Sequence, residues 1–273
     1  MTQGEGSGLP SDDYSGEAQR IAAAFVAARR NARALPDYPG TFPADLGDGY
    51  AVQDAAIALM GQRIGGWKVG KVNPPLDGAV RLAGPIFVDR IVAPGDGHAP
   101  RMAIFSDGFG AAEAEFLLHI GTAPPAGKTE YTRDEAKALI DAVHVGIEVA
   151  SSPFPGINSH GAPVTVSDFG NNNGLVIGAP IPGWRDDRFE SWSVELRING
   201  EVAGTGQAVD MLDGAIGAAR FLFEAMAARG ITLEAGQWIS SGAVTGVHPV
   251  EVGDAIEARF DDTMSVACTI AAA

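Results

Sequence analysis

Three glutamates carry the strongest chemical signal in the sequence. Glu113 and Glu115 are separated by one alanine, and Glu148 follows further on. On a β-strand, side chains two apart share a face and the backbone rises about 3.3 Å per residue. Glu113 and Glu115 therefore point the same way, roughly 6–7 Å apart at their Cα atoms, and their carboxylates can converge on one cation. Glu148 lies in a second strand-like run, on the face opposite Val145, Ile147 and Val149. Buried carboxylates repel one another and are costly to ionise unless paired or metal-bound. Three of them on strands suit Mg2+ or Mn2+, which take oxygen ligands and keep positions open for water. The alternative is a solvent-exposed strand face, on which glutamates need no ion.

Lys68 is the second candidate. It sits between Trp67 and Val69, with Gly66 and Gly70 outside them. A lysine in a short apolar strand is expected to be partly buried. Burial lowers its pKa and makes it available for proton transfer near neutral pH. The alternative is a lysine that buries its stem and keeps its ammonium in water. Two loops follow as candidates. Ser167 to Gly174 is rich in Asn and Gly, and offers amide donors and positive-φ backbone to a carboxylate or keto-acid oxygen. Ser240 to Gly246 is a strand running into a hydroxyl-bearing loop. An ordinary turn and an ordinary strand end are the alternatives. His144 and Glu148 are four apart, roughly 13 Å on a strand, so one ion cannot take both. His119 shares the Glu113 and Glu115 face if that strand continues. The nucleophile elbow, the phosphate-binding loop, the dinucleotide fingerprint and H-E-x-x-H are all absent from the sequence.

These residues have to be positioned by elements that the sequence also outlines. The 273 residues carry 19 Lys plus Arg against 34 Asp plus Glu, a formal charge of −15, which argues against nucleic-acid binding. Gly at 36 and Pro at 17 argue against an all-helical bundle. Cys268 is the lone cysteine, so the chain has no internal disulfide. No run reaches the roughly 20 apolar residues of a membrane helix. The start lacks the basic and apolar regions of a signal peptide, so a cytoplasmic protein without a membrane partner is expected.

Residues 1–15 read as a flexible tail. Helices are expected over 16–34 and 49–63, the second ended by Gly65-Gly66, and over 132–142, capped by Thr132 with Glu135. A further amphipathic helix is expected over 212–229. Short strands are expected at 67–69, 111–120, 143–150, 175–177, 191–198 and 201–203, with Asn199-Gly200 as a hairpin turn. Three more close the chain, at 238–244, 255–260 and 264–270, while 73–90 reads as turns. A helical region, 1–65, thus precedes a strand-rich region, 66–273. Strands that outnumber helices without alternating with them predict an α+β fold with a mixed or largely antiparallel sheet.

In this order the motifs resemble the fumarylacetoacetate hydrolase superfamily, and most closely its hydratase/decarboxylase branch. The resemblance runs from about Tyr50 to Ile270. It rests on Ala51-Val52-Gln53, Gly66 to Gly70, Gly84 to Phe87, Glu113-Ala114-Glu115, Ile147-Glu148-Val149, Asp168 to Gly178, Asn199-Gly200-Glu201 and Ser241-Gly242-Ala243. It implies a mixed β-roll or barrel-like fold around Mg2+ or Mn2+, with Glu113, Glu115 and Glu148 as ligands and Lys68 as the active-site lysine. It places Asp168 and Asn172 in the substrate pocket, and a homo-oligomer is implied on the same ground. Lys71-Val72-Asn73, Ser151-Ser152, Phe169-Gly170 and His248 depart from the branch's pattern. All lie at or near the implied pocket, where Thr245 and His248 are further candidates for substrate binding. No lysine follows Lys137, which disfavours the hydrolase arrangement.

The expected activity is that of a lyase on a small 2-oxo acid: hydration of a 2-hydroxy-2,4-dienoate of the 2-oxopent-4-enoate type to a 4-hydroxy-2-oxo acid, as in aromatic catabolism. The alternatives are decarboxylation of the 4-oxalocrotonate type, carbon–carbon cleavage of an acylpyruvate or hydroxy-oxo acid (by a hydrolase or aldolase), and a non-catalytic subunit of a complex. Arg81 and Arg90 are candidates for binding a distal carboxylate, or surface charges.

Overall fold

The computed structural model describes residues 14–93 and 99–273. The tail expected over 1–15 therefore lies, up to residue 13, outside the described residues. In chain order the helices are α1 (Ser15–Arg30), α2 (Leu46–Met60), α3 (Arg133–Ala138), α4 (Ala162–Ser167) and α5 (Gly214–Ala228). The strands are β1 (Ile64–Leu76), β2 (Ala79–Phe87), β3 (Ile91–Val92), β4 (Arg101–Ile104), β5 (Phe109–Ile120), β6 (Ile140–Ser152) and β7 (Asn172–Pro180). After them come β8 (Val194–Ile198), β9 (Glu201–Gly206), β10 (Trp238–Ser240), β11 (His248–Pro249), β12 (Ala255–Phe260) and β13 (Met264–Ala272).

Two sheets result. The larger runs β2-β1-β10-β5-β6-β7-β3, with β11 also on β5; the smaller runs β4-β13-β12-β8-β9. Parallel pairs (β1 with β10, β3 with β7, β4 with β13) stand among antiparallel ones, so the sheets are mixed, and the expected α+β class holds. The large sheet curls until its edge strand β2 packs on β7, near the opposite edge.

Strand alternation explains the two surfaces of this sheet. Ala112, Ala114, Phe116, Leu118 and Ile120 of β5 join Val143, Val145, Ile147 and Val149 of β6 in the main core, shared with the small sheet and α5. Phe116 is edge-on to Phe189 and Phe260, with centroids 5.0 and 5.2 Å away. Burying such a side chain contributes about 1.5–3 kcal/mol. The other face of β5 carries Glu113, Glu115 and Leu117, and Leu117 packs with Ile86 and Leu175 inside the curl.

Several local expectations fail for identifiable reasons. The stretch 73–90 is not a run of turns but the outer half of a hairpin: β1 extends to Leu76 and β2 begins at Ala79. Pro74 and Pro75 are tolerated because β10 pairs β1 only from Gly66 to Lys68, which leaves the extension with a single partner. Gly61, left-handed at φ 63°, caps α2, whereas Gly65 and Gly66 lie in β1. Helix α4 is new, and α3 stops at Ala138 because β6 starts two residues later. The Thr132–Glu135 capping box and the Asn199-Gly200 turn, both residues at positive φ, form as expected.

The N-terminal helices pack on the strand region rather than standing apart. Ile21, Phe25 and Val52 share a core with Phe87, Phe154, Ile157 and Phe169. Arg29, in the last turn of α1, fastens this layer. Its Nε and Nη2 donate to the two oxygens of Asp168 at 2.6 and 2.8 Å, Nη1 donates to Asn173 Oδ1, and Nη2 also donates to the Ser151 carbonyl. The Arg29 side chain is 7% exposed and that of Asp168 is 0% exposed. Arg29→Met leaves a buried carboxylate without its counter-charge and should destabilise the protein by about 3–5 kcal/mol, read from the denaturant midpoint at constant m. A midpoint within experimental error of wild type would contradict this role.

Candidate metal centre

Strands β5 and β6 bring the three glutamates together. Glu113 pairs directly with Glu148, and Glu115 lies two residues along on the same face. Glu113, Glu115 and Glu148 are 3%, 0% and 0% exposed. One carboxylate oxygen from each lies within 4.8 Å of the others. Glu113 Oε1, Glu115 Oε1 and Glu148 Oε2 are buried and have no hydrogen-bond partner. Oxygens left this way lose their solvation unless something takes its place. The donor set is all-oxygen and anionic, which fits a hard divalent cation.

The remaining oxygens are held by the protein. Glu115 Oε2 accepts from the Ser240 hydroxyl and, at 2.9 Å, from the Gly242 amide. Asn172 Nδ2 donates to Glu148 Oε1 at 3.0 Å. Lys68 reaches the same face from β1, two strands away. Its Nζ is 3.2 Å from Glu148 Oε1 and donates to Asn171 Oδ1 at 3.2 Å. Lys68 is buried, as expected, but its pKa moves the other way. Burial would lower it, yet the charges of Glu113, Glu148 and Glu115 outweigh burial and hold the ammonium above the ordinary lysine value. Burial pushes the Glu113 carboxyl up to about 7; Lys68 opposes the rise and Glu148 adds to it. Burial, then the charges of Glu148 and Glu113, hold Glu115 well above the carboxylate range.

The other candidates are distributed differently. Asp168 does not face the triad with a free carboxylate: Arg29 takes both of its oxygens. Asn172 is at the site, but against Glu148. Thr245 is buried with an unpartnered hydroxyl, in the loop whose Val244 amide donates to the Ala114 carbonyl of β5. His248 pairs with Ala112 and so lies on the face of β5 opposite Glu113 and Glu115. Its ring meets the Thr245 carbonyl and packs where Gly204 of β9 leaves room. His119 and His144 flank Trp238, further along the strands, bound to Asp141 and to the Gly178 carbonyl. Arg81 is tied to Asp213, and Arg90 lines a cleft with Arg29, Arg30 and Asn172. Arg29 had no signal in the sequence, since it resembles any basic residue in a last helical turn; Asn171 lay within the Ser167 to Gly174 candidate loop, where nothing sets it apart from its two neighbouring asparagines.

No protein-family model matches the chain. Solved structures do. The chain is similar to 4-oxalocrotonate decarboxylase from Pseudomonas putida G7, solved with magnesium and adipate and also with calcium and acetate. The TM-score is 0.76 at 20% identity, covering 96% of this chain and 99% of that one. It is also similar to fumarylpyruvate hydrolase from Pseudomonas aeruginosa, in complex with Mn2+ and pyruvate (TM-score 0.57, 16% identity, 78% of this chain and 91% of that one). A third likeness is to 2-hydroxyhepta-2,4-diene-1,7-dioate isomerase from Mycobacterium marinum (TM-score 0.55, 19% identity, 77% and 76%). These proteins belong to the fumarylacetoacetate hydrolase superfamily, and the chain has their fold.

The raised Glu113 pKa gives the site a pH signature. A carboxyl whose folded pKa lies above its unfolded value stabilises the metal-free fold fully below about 4.5, and that contribution is lost as pH rises through about 7. A metal must displace that proton, so its stabilising effect grows with pH. Mg2+ at a hundred times Kd is worth about 2.7 kcal/mol, roughly 5 °C in Tm for a chain of this size. This shift is expected at pH 8, a much smaller one at pH 5.5, and none in Glu115→Gln. Equal shifts at both pH values, or a shift retained in the variant, would contradict the assignment.

Proposed function

We propose that this chain is a divalent-metal-dependent lyase acting on a short 2-oxo acid. The observation that carries the reading is the charge balance of the buried site: three carboxylates, one ammonium and three unpartnered carboxylate oxygens. Glu113, Glu115 and Glu148 would hold Mg2+ or Mn2+. When bound, the cation supplies a Lewis acid able to draw electron density toward the oxygens of a 2-oxo acid.

The residues of the chain do the rest. The triad fixes the location of positive charge, and Ser240, Gly242 and Asn172 keep two of its carboxylates from turning away. Lys68 holds a proton 3.2 Å from Glu148 Oε1, next to where a substrate oxygen becomes negative. The apolar wall of Leu117, Ile86 and Leu175 lies beyond the triad and keeps water from the inner end of the curl. For a 2-oxohex-3-enedioate, the bond to the distal carboxylate breaks and CO2 leaves. Its electron pair moves along the conjugated chain to the 2-oxo oxygen, and Lys68 supplies the proton that completes 2-hydroxypenta-2,4-dienoate. Decarboxylation asks the protein for charge stabilisation and one proton donor, and Lys68 is the cationic side chain in contact with the triad. The likeness to a decarboxylase over 96% of this chain and 99% of that one supports it.

Hydration of a 2-hydroxy-2,4-dienoate, the reading the sequence motifs favour, is the second. It uses the same proton donor to protonate the dienol carbon before water adds at C4. Mass analysis of products from 2-oxohex-3-enedioate and from 2-hydroxypenta-2,4-dienoate, each with Mg2+ and with EDTA, separates the two. Loss of one CO2 from the first substrate marks a decarboxylase, and gain of one water by the second marks a hydratase. Either must vanish in EDTA. Lys68→Met should lower kcat by about 10²–10⁴-fold while Mg2+ still binds. Full turnover in EDTA, or in Lys68→Met, would overturn the mechanism.

A further inference from the structure

We propose that Asn171 is the positioning residue of Lys68, and that Asn171 and Asn172 divide two tasks: the first orients the lysine ammonium, the second the metal-ligating carboxylate of Glu148. The inference rests on the proposed metal centre and deepens it. It starts from backbone conformation. Phe169, Gly170 and Asn171 are consecutive residues in the left-handed region, at φ 59°, 61° and 61°. A bulky residue is rarely found there, and such a conformation persists only where the surroundings over-determine it.

Those surroundings are visible. The Phe169 ring sits edge-on to Phe87, 5.2 Å between centroids, and the Arg29 guanidinium lies 5.0 Å from it. The Phe169 carbonyl rests on Gly84, where a Cβ would come within 2.0 Å of its oxygen. Gly170 lies against the Lys68 stem, and a Cβ there would be 3.2 Å from Cδ. The turn is thus seated on the β1–β2 hairpin and presents Asn171 to Lys68. An ammonium donates and cannot accept, so the atom facing it must be Oδ1. The amide is fixed in that sense from behind: Asn171 Nδ2 donates to Asn158 Oδ1 at 3.0 Å. Asn171 Oδ1 accepts from one Lys68 N–H group, and Glu148 Oε1 lies 3.2 Å from Nζ as its ion-pair partner. Asn172, one residue on and back in extended backbone, turns its amide to Glu148 instead.

The test needs no substrate, so it remains readable if the lyase reading fails. The chain has four lysines, Lys68, Lys71, Lys128 and Lys137, and only Lys68 is buried. In 15N-lysine-labelled, Mg2+-loaded protein, one slowly exchanging ammonium signal is expected, lost in Lys68→Met. Asn171→Gly removes the amide while suiting the left-handed backbone. It should speed that ammonium's exchange at least tenfold and leave the Mg2+ Kd from calorimetry within about threefold. Asn171→Asp, which keeps an oxygen against Nζ, should retain the slow signal. Asn172→Ala should weaken Mg2+ by about 10–100-fold and keep the slow signal at saturating Mg2+. An unchanged exchange rate in Asn171→Gly would overturn the proposal. So would the two asparagine variants losing metal affinity and ammonium protection together.

Discussion

Everything in this protein is arranged around one electrostatic problem: three carboxylates buried on one face of a sheet with a single ammonium beside them. The formal charge of that cluster is −2 when all four groups are ionised. In a medium less polarisable than water, such charges repel strongly and lack solvent to stabilise them. Without a cation the protein answers with protons, which is why Glu113 and Glu115 are pushed up. With a divalent cation the sum is zero and every unpartnered oxygen gains a partner. Protons and a divalent cation are thus the two ways in which the missing positive charge can be supplied.

Holding that cluster together takes four separate parts of the chain. The β5–β6 ladder sets the spacing of the glutamates. The end of β10 supplies the Ser240 hydroxyl and the Gly242 amide that restrain Glu115. Strand β1 brings Lys68 from the far side of β10. The 168–173 segment supplies Asn171 and Asn172 and is anchored through Asp168 to Arg29, so the N-terminal helical layer reaches the candidate metal centre through one buried ion pair. Leucine, isoleucine and phenylalanine on both faces of the large sheet keep these parts in register, since a one-residue slip of β5 would turn Glu113 and Glu115 into the main core.

How much of this is legible in the sequence follows from the range of each interaction. The period-two spacing of Glu113 and Glu115 is local, and the sequence alone reveals their common face. The apolar alternation of Val143 to Val149 does the same for Glu148. The Thr132–Glu135 cap and the Asn199-Gly200 turn are equally local. The hairpin of β1 and β2 is hidden because Pro74 and Pro75 read as breakers. Whether a proline is tolerated depends on which edge lacks a partner, which is a property of the sheet. The Arg29–Asp168 pair spans 139 residues, and nothing near either residue announces the other. Burial of Lys68 is readable from Trp67 and Val69, but the direction of its pKa is not. That depends on three carboxylates from other strands. His248 looks chemical by type, and strand pairing places it on the other face.

The central claim is that Glu113, Glu115 and Glu148 bind one divalent cation. Its most direct test is anomalous scattering from crystals grown with Mn2+. The account predicts a single strong peak bounded by one oxygen from each of the three glutamates, with Lys68 Nζ outside the coordination sphere. Crystals saturated with Mn2+ that show no peak there, with the three carboxylates still converging, would contradict it.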